Sequence, residues 1–315
     1  MESIGQVLAT ASDRLEERIA AVLSHYTPAY FRERIPELNE LDVTDEMIQA
    51  ATTQLMERAK QFGQCQGCTN YASCRRPPGQ TGMQIHLSSQ NGHISSVHRL
   101  CDPFYTYQQE MRWQRLLALS GKAASDKDFT FDDFPDAQKR RHKKLCGYIY
   151  RFAQEFEPGG SDKGVYIYGP PGTAKTHLVL SMVNRLEERR VPVLFIRTDA
   201  IFRNMRGMLS KKESLDTLIE AYCTTPVLVI DEFGQEAGTE FTVDVMFEIM
   251  NARFTGNLPT FATSNYAPDQ VYEKAMRKHR LEEKVEAIRS RLNQMMKHAH
   301  MDGEDGRKKD RETFE

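Results

Sequence analysis

The sequence has no apolar run approaching the ~20 residues of a membrane span, which excludes a transmembrane helix. Met1 to His25 carries Glu2, Asp13, Glu16 and Glu17 and lacks an apolar h-region, so it does not read as a secretory signal. Charge of one sign is also missing. With 42 Lys and Arg against 44 Asp and Glu, the net charge is −2, and any nucleic-acid contact must come from a local patch. Cysteine is sparse. Six in 315 residues, four of them clustered, fit metal binding in a reducing cytoplasm better than a disulfide framework. What remains is the composition of an ordinary globular protein, 40% hydrophobic and 27% charged, long enough for two domains.

The most informative stretch is Val165 to Thr176, VYIYGPPGTAKT. A β-branched and aromatic run predicts a strand that breaks at Gly169. A small-residue loop follows, and Lys175-Thr176 open a helix expected to reach Arg189. This is a P-loop in its confirming context. Its backbone N–H groups, with the helix N-terminus behind them, suit phosphate oxygens. The loop Gly169, Pro170, Pro171, Gly172, Thr173, Ala174, Lys175 and Thr176 is therefore the candidate nucleotide-binding segment. Lys175 would reach the β- and γ-phosphates and Thr176 would ligate Mg²⁺. Ala174 stands where this pattern has its last glycine. If that position needs positive φ, alanine costs about 1 kcal/mol.

Val227 to Glu232, VLVIDE, predicts a strand buried on both faces and ending in two carboxylates. Asp231 would hold Mg²⁺, and Glu232 would polarise an attacking water. Pro259 to Asn265 predicts another strand ending in Thr-Ser-Asn, from which Asn265 could orient that water. Strands are also expected at Val193–Ile196 and Met295–Met301, and helices at 139–156, 199–221 and 269–293. The helix at 139–156 starts with Lys139, Arg140, Arg141, Lys143 and Lys144. The helix at 199–221 carries Arg203, Arg206, Lys211 and Lys212, as a phosphate-contacting cluster or a solvated face. The aromatic run Phe129 to Pro135 reads either as a wall for a nucleotide base or as edge packing.

Ahead of these lies a different kind of sequence. Residues 2–25 have helical apolar spacing, for packing or for a partner, and Thr44 can cap a second helix. Cys65-x-x-Cys68 with Cys74, His86, His93, His98 and Cys101 downstream has structural-zinc spacing, with Cys65, Cys68 and Cys101 the leading ligands and His86 or Cys74 the fourth. Residues 121–128 read as a linker. The expected organisation is a zinc-bearing domain at 1–120, a linker at 121–128, an ATPase domain at 129–301 and a charged tail at 302–315.

Together, GPPGTAKT, VLVIDE, TSN and a late arginine resemble an AAA+ ATPase, with a parallel sheet flanked by helices. The short remainder after the arginine resembles the lidless DnaC/DnaI/IstB group. The front half, mainly helical and zinc-binding, followed by F-x-F-D-D-F, resembles bacterial replicative helicase loaders of DnaI type, which are primosomal proteins. This resemblance implies a slow, partner-regulated ATPase that loads a hexameric replicative helicase onto single-stranded DNA. It implies ATP, Mg²⁺ and Zn²⁺ as cofactors. The implied partners are that helicase, single-stranded DNA, other primosome proteins and further copies of the chain, in the cytoplasm and away from membranes. It implies that Arg291 is an arginine finger acting in a neighbouring subunit, with Arg289 the lesser choice, and it selects Cys65, Cys68, His86 and Cys101 as zinc ligands. A transposition helper ATPase of IstB type, or an ATP-binding adaptor with little hydrolysis, are the alternatives.

Overall fold

A computed structural model of the chain describes residues 18, 21–279 and 281–306. The chain divides into two compact units, one ending at Arg112 and one starting at Trp113. The N-terminal amphipathic helix expected over residues 2–25 falls almost entirely outside the described residues; Val22 and Leu23, within them, are exposed.

The front unit contains α1 (Pro28–Arg34), α2 (Asp45–Ala50) and α3 (Thr52–Cys65), then an antiparallel hairpin of β1 (Met83–Gln90) and β2 (His93–Leu100). Thr44 caps α2 as its sequence predicts, accepting from the Met47 N–H at 3.3 Å. Phe31, Ile35, Leu38, Ile48 and Leu55 are fully buried and form its core with Ile94 of the hairpin. The buried amide of Gln61 ties α3 to β1, accepting from the Ile85 N–H at 2.7 Å and donating to the Met83 carbonyl at 3.2 Å. The unit is mainly helical, as expected, and the polar segment after Cys74 adds an antiparallel hairpin. α4 (Asp102–Leu119) then spans the division between the units.

In the second unit, α5 (Asp136–Arg141) and α6 (Lys143–Glu155) precede β3 (Gly164–Tyr168). Then follow α7 (Lys175–Glu188), β4 (Val193–Arg197), α8 (Thr198–Ser210), α9 (Asp216–Thr224) and β5 (Val227–Asp231). The chain continues with α10 (Glu240–Thr255), β6 (Thr260–Ser264), α11 (Glu273–His279), α12 (Glu282–Met295) and β7 (Met296–His300). The strands form one parallel sheet in the order β4-β5-β6-β3-β7. All five residues of β5 and of β6 are buried, the apolar run of β5 as a sheet covered on both faces requires and the Thr and Ser of β6 with their hydroxyls hydrogen-bonded. Tyr166, Leu194, Leu228 and Ile230 pack on one face with Phe202, Met246 and Ile288. Val165, Ile167, Phe195 and Val229 pack on the other with Phe152, Val179 and Val183.

The helix expected over 199–221 is broken, because Lys212 adopts φ +59° and the Ser214 hydroxyl accepts from the Asp216 N–H at 3.1 Å to start α9. Arg253 of α10 is completely buried; its guanidinium donates to Thr260 Oγ1 and to the carbonyls of Tyr222, Thr225 and Pro259 at 2.7–3.0 Å. Residues 121–128 are not a free spacer. The Gly121 N–H donates to the Phe195 carbonyl at 2.7 Å, and Lys122 donates to Asn184 at 2.6 Å and Glu187 at 2.5 Å.

Candidate nucleotide-binding site

Strand order creates the site. β6 lies between β3, which feeds the P-loop, and β5, which carries the acids, so the end of β6 reaches both. Gly169 has φ +144° and Gly172 +80°, which lets the backbone curl before α7 begins at Lys175. Ala174 sits in the left-handed region at φ +67°, ψ +25°, so the strained alternative raised by the sequence is the one the chain adopts.

Lys175 is almost buried. Its ammonium donates to the carbonyls of Gly169 and Pro170, both at 2.8 Å, and to Asn265 Oδ1 at 3.1 Å. Thr176 Oγ1 donates to Asp231 Oδ1 at 2.9 Å, which brings together the two oxygens expected to hold Mg²⁺. Thr263 donates to the same carboxylate oxygen, and Arg197 Nε lies 3.7 Å from the other. Burial pushes the Asp231 carboxyl above its ordinary range, while the hydrogen bonds from Thr263 and Thr176 and the charge of Arg197 pull it down.

Glu232, next in sequence, is exposed and left-handed at φ +61°. Its backbone is fixed at both ends: its N–H donates to Thr263 Oγ1 at 3.1 Å and its carbonyl accepts from Thr198 Oγ1 at 3.0 Å. One carboxylate is therefore held inward for a cation and its neighbour is turned outward, where a water could be polarised. Asn265 links Lys175 to Gln235, donating to Gln235 Oε1 at 3.1 Å.

The run Phe129 to Phe134 packs on the first turn of α7. Phe129 and Phe134 meet the His177 ring edge-on, and His177 Nε2 lies 3.0 Å from the Thr130 carbonyl. Burial lowers the His177 pKa. The residues after β7 cross the P-loop. The Met301 N–H donates to the Tyr168 carbonyl at 2.7 Å and the Gly306 N–H to the Gly172 carbonyl at 3.1 Å. A Cβ on Gly172 would lie 1.8 Å from the Asp305 carboxylate, so a side chain there would have to displace Asp305 as well as bear a φ of +80°. The tail expected over 302–315 is thus ordered as far as Gly306, and residues 307–315 lie outside the described residues.

Two other groups of expected residues stand apart. Arg291 packs its guanidinium 4.2 Å from the Phe254 ring centre and lies 3.3 Å from Asn251 Oδ1, whereas Arg289 donates to the Val271 carbonyl at 2.8 Å. Arg203 pairs with Asp199 at 3.0 Å, as a solvated face would. Cys65, Cys68, Cys74 and Cys101 are free thiols, and no group of three or more His, Cys, Asp or Glu side chains among the described residues could hold a metal ion. Ile85 faces the core, so His86, one residue on, points to the opposite, solvent face.

Sequence reasoning assigned no role to Arg197, Thr198 or Gln235. Thr263 was visible only as part of Thr-Ser-Asn, and Arg197 only as the residue following an apolar strand. Arg197 also pairs with Asp126 at 2.9 Å. Burial alone would raise the Asp126 carboxyl, but the bonds and charge of Arg197 bring it below the usual range.

The geometry fits a nucleoside triphosphate with a hard divalent cation: a glycine-lined backbone curl, a buried lysine, and a threonine hydroxyl on a buried carboxylate. No helix among the described residues is long and apolar enough to cross a membrane. The chain is 24% identical over 273 residues to the replicative helicase loader DnaI of Bacillus subtilis, covering 85% of this chain and 86% of that protein. It is 25% identical over 181 residues to a putative ATP-binding protein of an insertion sequence from Mycobacterium tuberculosis, covering 58% of this chain and 69% of that one. A crystal structure of DnaI aligns over 61% of this chain and 98% of its own, at 25% identity and a TM-score of 0.49. The profile of the AFG1-like ATPases matches residues 118–311. The chain is a member of the AFG1-like ATPase family.

Proposed function

We propose that this protein is an ATP-dependent loader of a hexameric replicative DNA helicase onto single-stranded DNA. The observation that carries the reading is the extent of the likeness to the B. subtilis loader. It covers 85% of the chain and so must take in more than half of the front unit, whereas the insertion-sequence relative matches only 58%. The unit ending at Arg112 is the helicase-binding part, and the unit from Trp113 is the motor.

In that motor the P-loop N–H groups and Lys175 hold the triphosphate. Thr176 and Asp231 hold Mg²⁺, which would offset charge on the β- and γ-phosphates. Glu232 polarises the attacking water and Asn265 orients it. Nucleotide arrival must draw the Lys175 ammonium off the carbonyls of Gly169 and Pro170, so binding and rearrangement of the loop are coupled. Arg291 acts on the nucleotide of a neighbouring copy, which makes the active form an oligomer.

The test is the mass of the complex formed with the host's replicative helicase, by light scattering after size exclusion, with and without ATP. A stable complex that is lost on removing residues 1–112 is the expected result. Absence of a complex in both conditions removes the loader reading, and binding to a transposase instead would put the insertion-sequence relative's role in its place.

A further inference from the structure

We propose that the groove between α5–α6 and the outer strand β7 is a track for the backbone of single-stranded nucleic acid. The groove encloses about 550 Å³ and is lined by Arg141, Lys143, Lys144, Tyr148 and Lys297 among others. Parallel pairing sets Lys297 beside Val165, on the sheet face that α6 covers, and its ammonium lies 3.8 Å from the centre of the Tyr148 ring. Tyr148 is one helical turn from Lys144, so ring and cation share a face of α6.

The local charge is unlike that of the whole molecule. Residues 136–155 hold six Lys and Arg against Asp136 and Glu155, in a chain of net charge −2. The carboxylates near the groove include Asp162, whose charge reaches the Tyr148 hydroxyl. Asp302 pairs with Arg141 at 2.8 Å and lies 3.3 Å from His142 Nε2, and Asp136 pairs with Lys139 at 3.7 Å. Among the described residues no carboxylate pairs with Lys143, Lys144 or Lys297, all of them exposed. Three such cations around a half-buried aromatic ring match a chain that alternates phosphates with flat bases. An acidic peptide would use the charges but not the ring. The other basic cluster, on α8, is weaker, because Asp199 already neutralises Arg203.

This deepens the loader reading by placing its nucleic-acid contact, and the test needs no helicase, so either idea can fail alone. The full chain is titrated against a fluorescein-labelled oligodeoxythymidine of about 20 nucleotides, longer than a single site, and followed by anisotropy over a range of KCl concentrations. The variants are Lys143→Ala/Lys144→Ala/Lys297→Ala, Tyr148→Leu, and Arg203→Ala/Arg206→Ala. The triple variant should bind about tenfold or more weakly at low salt. It should also flatten the plot of log affinity against log salt by about 2, the share of three phosphate contacts on a single strand. Tyr148→Leu should weaken binding and leave that slope unchanged. Lys144→Gln alone, at an exposed position, should reproduce part of the effect if the triple variant melts early.

Wild-type affinity and slope in a folded triple variant would overturn the proposal, as would loss confined to the α8 pair or no binding by the wild-type chain. Tighter binding of polyglutamate or phosphatidylserine vesicles than of the oligonucleotide, with the same loss in the triple variant, would assign the groove to a different partner.

Discussion

The two units handle reactive side chains in opposite ways. In the unit from Trp113, side chains that follow different strands hold one another at the nucleotide site: Thr176 and Thr263 converge on Asp231, and Asn265 bridges Lys175 and Gln235. In the unit ending at Arg112, four cysteines and three histidines are close in sequence and do not converge. A parallel sheet delivers every strand's end to one edge, so residues that follow different strands meet there. A hairpin sends alternate residues to opposite faces, so nearness in sequence decides little.

The sharpest way to break this contrast is at the P-loop lysine. Lys175→Ala should lower ATP turnover about 100-fold or more and also lose nucleotide binding, whereas Glu232→Gln should lose turnover to a similar degree and keep binding. Steady-state phosphate release and a fluorescent-nucleotide titration separate the two. Equal low rates in both variants and in the wild type would favour the adaptor reading. The next effect is on stability. Arg253→Ala should cost about 3–5 kcal/mol, because it strands three buried carbonyls and leaves a cavity. Denaturant unfolding measures this, and a loss under 1 kcal/mol, against that expectation, would mean that water takes over the guanidinium's bonds.

Ala174→Gly works in the other direction. Relief of the left-handed strain, less the extra freedom of glycine in the unfolded chain, should stabilise by up to about 1 kcal/mol, a rise of about 2–4 °C in melting temperature. A fall in melting temperature would show that the methyl group packs usefully where it lies. The smallest change belongs to the front unit. His86→Ala should leave both melting temperature and zinc content unaltered. A loss of stoichiometric zinc in that variant alone, by metal analysis, would restore His86 as a ligand.

Legibility followed the same division. The P-loop and the acidic strand could be read because each is a largely apolar strand with chemistry at its end, and Thr-Ser-Asn because a polar triplet closes a short buried strand. The positive φ at Ala174 was readable as a question, and the backbone supplied the answer. Arg197 and Gln235 were not readable, since their roles depend on which strands become neighbours. The break after Ser210 was hidden because Lys211, Lys212 and Glu213 are all acceptable in a helix; only the φ of Lys212 marks it. The solvent-facing side of His86 was not readable either, because spacing along the chain carries no information about which face of a strand a side chain occupies.

The crossing of residues 301–306 over the P-loop gives the order of synthesis a physical meaning. β3 is interior in the finished sheet, but its neighbour β7 is made about 130 residues later than the P-loop. Until then β3 presents an open row of N–H and C=O groups, the kind of edge that pairs with other chains. The same late segment supplies the carboxylate that lies on Gly172. A nascent chain stopped near residue 295 would contain every nucleotide-binding motif named here. It would still lack the segment that crosses the P-loop, and it would leave β3 as an unpaired edge open to aggregation.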